Sequence, residues 1–81
     1  NKPVFSLLPN PSTGIFSLEL NSPGIEKIEI FSVSGQLIYS QATESTTKNF
    51  NVDGTSWEKG IYLVKITSTE GSFSTERMLI Q

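Results

Sequence analysis

Gly60-Ile61-Tyr62-Leu63-Val64-Lys65-Ile66, the turn Thr69-Glu70-Gly71-Ser72, and Phe73-Ser74-Thr75-Glu76-Arg77-Met78-Leu79-Ile80-Gln81 decide the fold. The first run alternates with period two. Tyr62, Val64 and Ile66 share one face, and Ile61, Leu63 and Lys65 the other. Both faces are partly apolar, which predicts a central strand or one with a covered second face. The run after the turn is a second strand, so the stretch is a hairpin that ends on Gln81. Met78 and Ile80 fall on one face of it, and Arg77 and Leu79 on the other.

The same period recurs upstream. Phe16, Leu18 and Leu20 alternate with Ser17 and Glu19; Ile28 and Ile30 alternate with Lys27 and Glu29; Phe50 and Val52 alternate with Asn49 and Asn51. Turn signals separate the runs about every ten residues. Pro9-Asn10-Pro11-Ser12-Thr13-Gly14 is a loop, because its two prolines lack a ladder donor. Asn21-Ser22-Pro23-Gly24 and Ser32-Val33-Ser34-Gly35 are turns, with Gly35 suited to positive φ. Residues 43–47 form a polar connection, and Asp53-Gly54 and Lys59-Gly60 bracket a short excursion around Trp57. Seven strands are predicted, over residues 4–8, 15–20, 25–31, 36–41, 48–52, 60–67 and 73–80. No window carries a capped helical period. The expected fold is all-β, a seven-stranded immunoglobulin-like β-sandwich.

Composition bounds the function. The 81 residues make one small domain, which buries only about 60–65% of its unfolded surface. The net charge of −2 is spread without a basic patch, which argues against nucleic acid. No stretch is long and apolar enough for a spanning helix, and the start lacks a signal-peptide layout. The chain opens on Asn1 without an initiator Met, as expected of a piece of a longer protein, with residues 1–3 the remnant of an upstream linker. Cys and His are both absent. That removes thiol nucleophiles, Cys-ligated zinc and the usual general base near neutral pH.

The remaining chemistry is sparse. Eight carboxylates are scattered, and paired-carboxylate catalysis needs two held about 5–9 Å apart across a cleft. A small sandwich has little room for one, so no enzyme, no cofactor and no metal are expected. Asn51, Asp53, Thr55 and Glu58 have oxygen ligands near one another, but calcium wants more carboxylates, and Asp53-Gly54 is ordinary turn chemistry. Trp57, Phe31 and Tyr39 could form a sugar platform. The competing expectation is that Trp57 plugs one end of the core. Asn10-Pro11-Ser12 imitates a glycosylation sequon that its proline disables.

Five motifs in order carry a resemblance. Leu8-Pro9-Asn10-Pro11-Ser12-Thr13-Gly14-Ile15-Phe16 resembles the Pro-Asn-Pro-x-x-Gly opening of type IX secretion C-terminal sorting domains, type A. Residues 28–38, with Gly35, resemble that family's strand, small turn and following strand. Residues 50–57 resemble its next strand and loop. Residues 60–66 resemble its Gly-apolar-Tyr-x-x-Lys-apolar strand, and Arg77-Met78-Leu79-Ile80-Gln81 its basic-then-apolar finish. Two positions depart. The closing block carries Arg77 after Glu76 where the family often has Lys, and Trp57 stands where a small aliphatic residue is common.

The resemblance implies a single C-terminal sorting domain over 1–81, belonging to a protein exported by Bacteroidota. Such a domain passes through the periplasm, directs its parent through the outer-membrane translocon, and is removed by a surface sortase. The parent ends at the cell surface or outside the cell. It implies translocon recognition by Gly60, Tyr62, Lys65, Arg77, Met78, Leu79, Ile80 and Gln81, within a motif framework of Pro9, Asn10, Pro11, Gly14, Gly35 and Trp57. Its expected partners are the translocon and sortase components, with no nucleic acid and no membrane insertion. One expected route is strand addition to the edge of the last hairpin. Met78 and Ile80 would then be structural, with Arg77, Leu79 and Gln81 left for the receptor. The alternative from another class is a glycan-binding or adhesive sandwich module of a secreted enzyme.

Overall fold

Alternating apolar residues create strands that must each bury one face, and a computed structural model of the chain shows how they do so. It describes residues 2–44 and 46–81. The seven strands are β1 (Phe5–Leu8), β2 (Ile15–Leu20), β3 (Ile25–Ser32), β4 (Leu37–Ala42), β5 (Asn49–Asp53), β6 (Gly60–Ser68) and β7 (Phe73–Ile80). They form two antiparallel sheets, β1-β2-β5 and β4-β3-β6-β7. Phe5, Leu7, Phe16, Leu18, Leu20 and Val52 of the first sheet meet Ile28, Ile30, Tyr62, Val64, Ile66, Met78 and Ile80 of the second in one buried core. Fully burying an aliphatic side chain of this kind contributes about 1.5–3 kcal/mol.

The all-β, two-sheet expectation holds, and β6 is a central strand between β3 and β7. The partition is specific. In an immunoglobulin constant domain the fourth strand pairs with the fifth. Here β4 pairs with β3 and so lies in the other sheet, beside β3, β6 and β7.

Ile25 and Ile28 are three residues apart yet both buried, which strict alternation forbids. A bulge between Ile25 and Lys27 explains it: those two residues span the step that Ser68 and Thr67 make on β6. A second irregularity sets Ile30 and Phe31 opposite Tyr39 and Leu37, so that Ile38 and Tyr39 both pack on the core.

Two hairpins share one turn. In Ser32-Val33-Ser34-Gly35-Gln36 the Gly35 N–H donates to Ser32 O at 2.9 Å, and Ser32 N–H to Gln36 O at 2.8 Å. In Ser68-Thr69-Glu70-Gly71-Ser72 the matching bonds are 3.0 and 2.8 Å. Both glycines have φ of 91°, the left-handed conformation that a three-residue hairpin loop places before its second strand. Within the polar connection 43–47, Thr43 bonds Glu26 O and Ile25 O, and Ser45 lies outside the described residues. Of residues 1–3, Asn1 also lies outside them. Pro3 is buried, and its carbonyl accepts a hydrogen bond from the Ser74 hydroxyl, so the contacts of the fold include Pro3.

Candidate recognition surface on the closing strand

An edge strand carries a row of unpaired backbone groups. β7 is such a strand, with β6 as its strand partner. The segment between β1 and β2 covers the second half of its free edge. Ser12 forms a parallel bridge with Ile80: its N–H donates to Leu79 O at 2.8 Å, and its carbonyl accepts from Gln81 N–H at 2.8 Å.

Two residues earlier, the Asn10 side chain repeats that pattern. Its Nδ2 donates to Arg77 O at 2.8 Å, and its Oδ1 accepts from Leu79 N–H at 3.2 Å. One carboxamide thus offers a donor and an acceptor as a peptide unit would, two residues before a real one. Asn10 and Ser12 act as a two-step pseudo-strand on β7. Strand addition at Arg77 to Gln81, expected from the sequence, therefore meets an edge already occupied. Upstream of Arg77, no backbone group of the described residues outside β6 and the turn before β7 bonds to the backbone of this strand.

The covering segment is itself held firmly. Ser12 is buried, yet its hydroxyl donates to Ile15 O at 2.9 Å and accepts from Gly14 N–H at 3.0 Å. Gly14 presses on the turn after β5. A Cβ there would lie 2.9 Å from Thr55 Cα, and Gly54 N–H donates to Gly14 O at 2.8 Å. In that turn Asp53 Oδ1 accepts from the Thr55 hydroxyl at 2.7 Å and from its N–H at 3.1 Å. These two bonds, the hydroxyl's first, hold the Asp53 carboxyl below its ordinary pKa. This is an Asx turn, and no group of three metal-ligating side chains forms among the described residues.

Trp57 lies over Gly54 and meets Tyr62, Tyr39 and Phe16 at ring-centroid distances of 5.4, 6.2 and 6.3 Å. It packs against the core at one end of the sandwich, in the plug position, and is half-buried there. Gly35 sits in its turn remote from β7, and Pro9 and Pro11 flank Asn10 in the covering segment.

The eight residues expected to be recognised divide sharply. Tyr62, Met78 and Ile80 are 6%, 0% and 3% exposed and fill the core. The Tyr62 hydroxyl also donates to Glu58 O. Gly60 opens β6 opposite Ile80. Arg77, Leu79 and Gln81 are exposed, and Lys65 is half-buried with its ammonium 4.5 Å from the Phe73 ring centroid. Asn10, Ile61, Leu63 and the β7 residues Thr75 to Leu79, Glu76 among them, line an open groove of about 510 Å³ at β6 and β7.

Sequence reasoning placed Asn10 in a motif but did not connect it with β7, and it did not single out Ser12. Its reading of β6 as apolar on both faces marked Ile61 and Leu63 as a second apolar side, but not the groove that they line.

The closing strand and its cover lie within a recognised unit. A family model described as a secretion system C-terminal sorting domain matches residues 6–81. An ulvan lyase of Nonlabens ulvanivorans is 29% identical over 73 residues, an alignment that covers 89% of this chain and 13% of that enzyme. The chain thus spans about an eighth of the length of that relative. The chain belongs to the family of type IX secretion C-terminal sorting domains, signals that engage the type IX machinery and direct export to the cell surface or beyond it.

Proposed function

We propose that residues 1–81 form one non-catalytic sorting domain that the outer-membrane translocon reads in folded form. Its parent crosses the inner membrane behind a signal peptide and passes through the periplasm. The domain engages the translocon, and a surface sortase then removes it near its start. The family match supports the signal role, and a sequence without His or Cys supports the non-catalytic one.

One observation carries the proposal. The inner face of β7 is locked into the core and its outer edge into Asn10 and Ser12, which leaves Arg77, Leu79 and Gln81 held rigidly in solvent. Preorganised side chains bind with less ordering entropy to lose. Arg77, Leu79, Gln81 and Lys65 then make the contacts, while Tyr62, Met78 and Ile80 hold the strand in place and Gly60 shapes its entry.

The test is a fluorescent reporter behind a signal peptide, with residues 1–81 at its C-terminus, in a host with type IX secretion. The wild-type fusion is expected outside the cell. A variant with Arg77→Ala and residues 79–81 deleted is expected to stay in the periplasm. Normal export of that variant would sink the proposal.

A further inference from the structure

The outward face of the four-stranded sheet is more apolar than a solvated face needs to be. At the paired positions, Leu37 of β4, Phe31 of β3, Leu63 of β6 and Arg77 of β7 form one row across all four strands. Ile61 and Leu79 are opposite each other in the next row. Leu37, Ile61 and Leu79 are 49%, 41% and 38% exposed, and Phe31 and Leu63 are half-buried without joining the core cluster. The apolar band therefore runs from edge to edge of the sheet, well beyond the closing strand. A contiguous apolar patch of this kind marks an interaction site.

Charge indicates what fits it. Lys27, Lys65 and Arg77 point outward from this face, against Glu29 and the exposed Glu26 of the bulge. Lys27 Nζ is 3.7 Å from Glu29 Oε1, which leaves Lys65 and Arg77 as the cations without an ion pair among the described residues. This cationic face belongs to a chain of net charge −2. A second copy placed face to face would set like charges against each other. The band also dips into the groove between Ile61, Leu63 and Leu79, a concavity that suits a ridge of side chains and not a bilayer surface.

We propose that this outer face is a docking surface for an acidic protein segment of the secretion machinery. The segment's apolar side chains fill the band from Leu37 to Leu79, and its carboxylates meet Lys65 and Arg77. The proposal rests on the sorting role above and extends the recognised area to β3 and β4.

The reporter fusion tests it with Leu37→Ser, Thr75→Glu and Thr75→Lys. Both sites are exposed, and Thr75 lines the groove. Leu37→Ser and Thr75→Glu are expected to lower exported reporter about tenfold, and Thr75→Lys about threefold, since it narrows the groove but keeps the sign of its charge. Urea midpoints of the purified variants are expected to match wild type. If the wild type is exported and Leu37→Ser and Thr75→Glu are too, the docking surface is wrong and the sorting role stands. If the wild-type fusion is retained, the sorting role itself fails. Equal loss with Thr75→Glu and Thr75→Lys overturns the acidic partner. A dimer of the purified chain that Leu37→Ser dissolves reassigns the face to self-association. Cosedimentation with anionic phospholipid vesicles, lost in Thr75→Glu, reassigns it to a membrane.

Discussion

Gly14 shows how little freedom a single residue has here. Its φ of 129° disfavours any side chain, and its backbone lies so close to Thr55 that a Cβ would be 2.9 Å from Thr55 Cα and 3.1 Å from Thr55 N. Both obstacles are backbone atoms, which cannot rotate aside. Gly14→Ala is therefore expected to destabilise the fold by about 2–3 kcal/mol through local strain and displacement of the Asp53–Thr55 turn. Urea unfolding measures this, and a loss below about 0.5 kcal/mol would mean that the approach is not rigid. Gly14 also accepts from Gly54 N–H, so one glycine ties the segment that covers β7 to the end of β5.

Among the elements, β7 depends most on a partner that is not a strand. Asn10→Ala would remove two hydrogen bonds from its edge, worth together about 1–3 kcal/mol. The Leu79 amide should then exchange with solvent about tenfold faster or more, and an unchanged rate would show that Ser12 alone closes the edge. The strands themselves were legible because burial on one face imposes a period of two, as at Phe16, Leu18 and Leu20. The turns were legible because Gly35 and Gly71 have few alternatives. The bulge at Ile25–Lys27 was not, since an inserted residue leaves no mark in composition. Nor was the bond from Asn10 to Leu79, because two positions 69 residues apart carry no mutual signal in one sequence. The pairing of β4 with β3 was hidden for a similar reason: β4 is exposed at most of its positions, so its pattern names no sheet. The division of the eight candidate residues into buried and exposed followed alternation correctly for Arg77 to Ile80. It could not show that the strand edge was taken.

As a whole, the molecule is a sandwich with one core and a cationic outer face, built without His or Cys. Without His or Cys, no side chain has an ordinary pKa between about 5 and 8. The urea midpoint is therefore expected to stay level between about pH 6 and 8. Asp53 adds a dependence at lower pH. Its folded pKa lies below the unfolded value of 3.8, so the unfolded chain takes up a proton first. Its contribution is complete above that value and is lost as pH falls through the folded pKa. A midpoint that drifts between about pH 6 and 8 would contradict this account. The cover on β7 has a further consequence at this scale. Residue 10 clasps residues 77 and 79, and residue 12 clasps residues 79 and 81, so the exposed tip exists only once the first loop and the last strand are both present. A chain cut short anywhere in β7 would display no such tip. The clasp thus makes the exposed side chains of β7 a report that two distant parts of the chain have met and folded together.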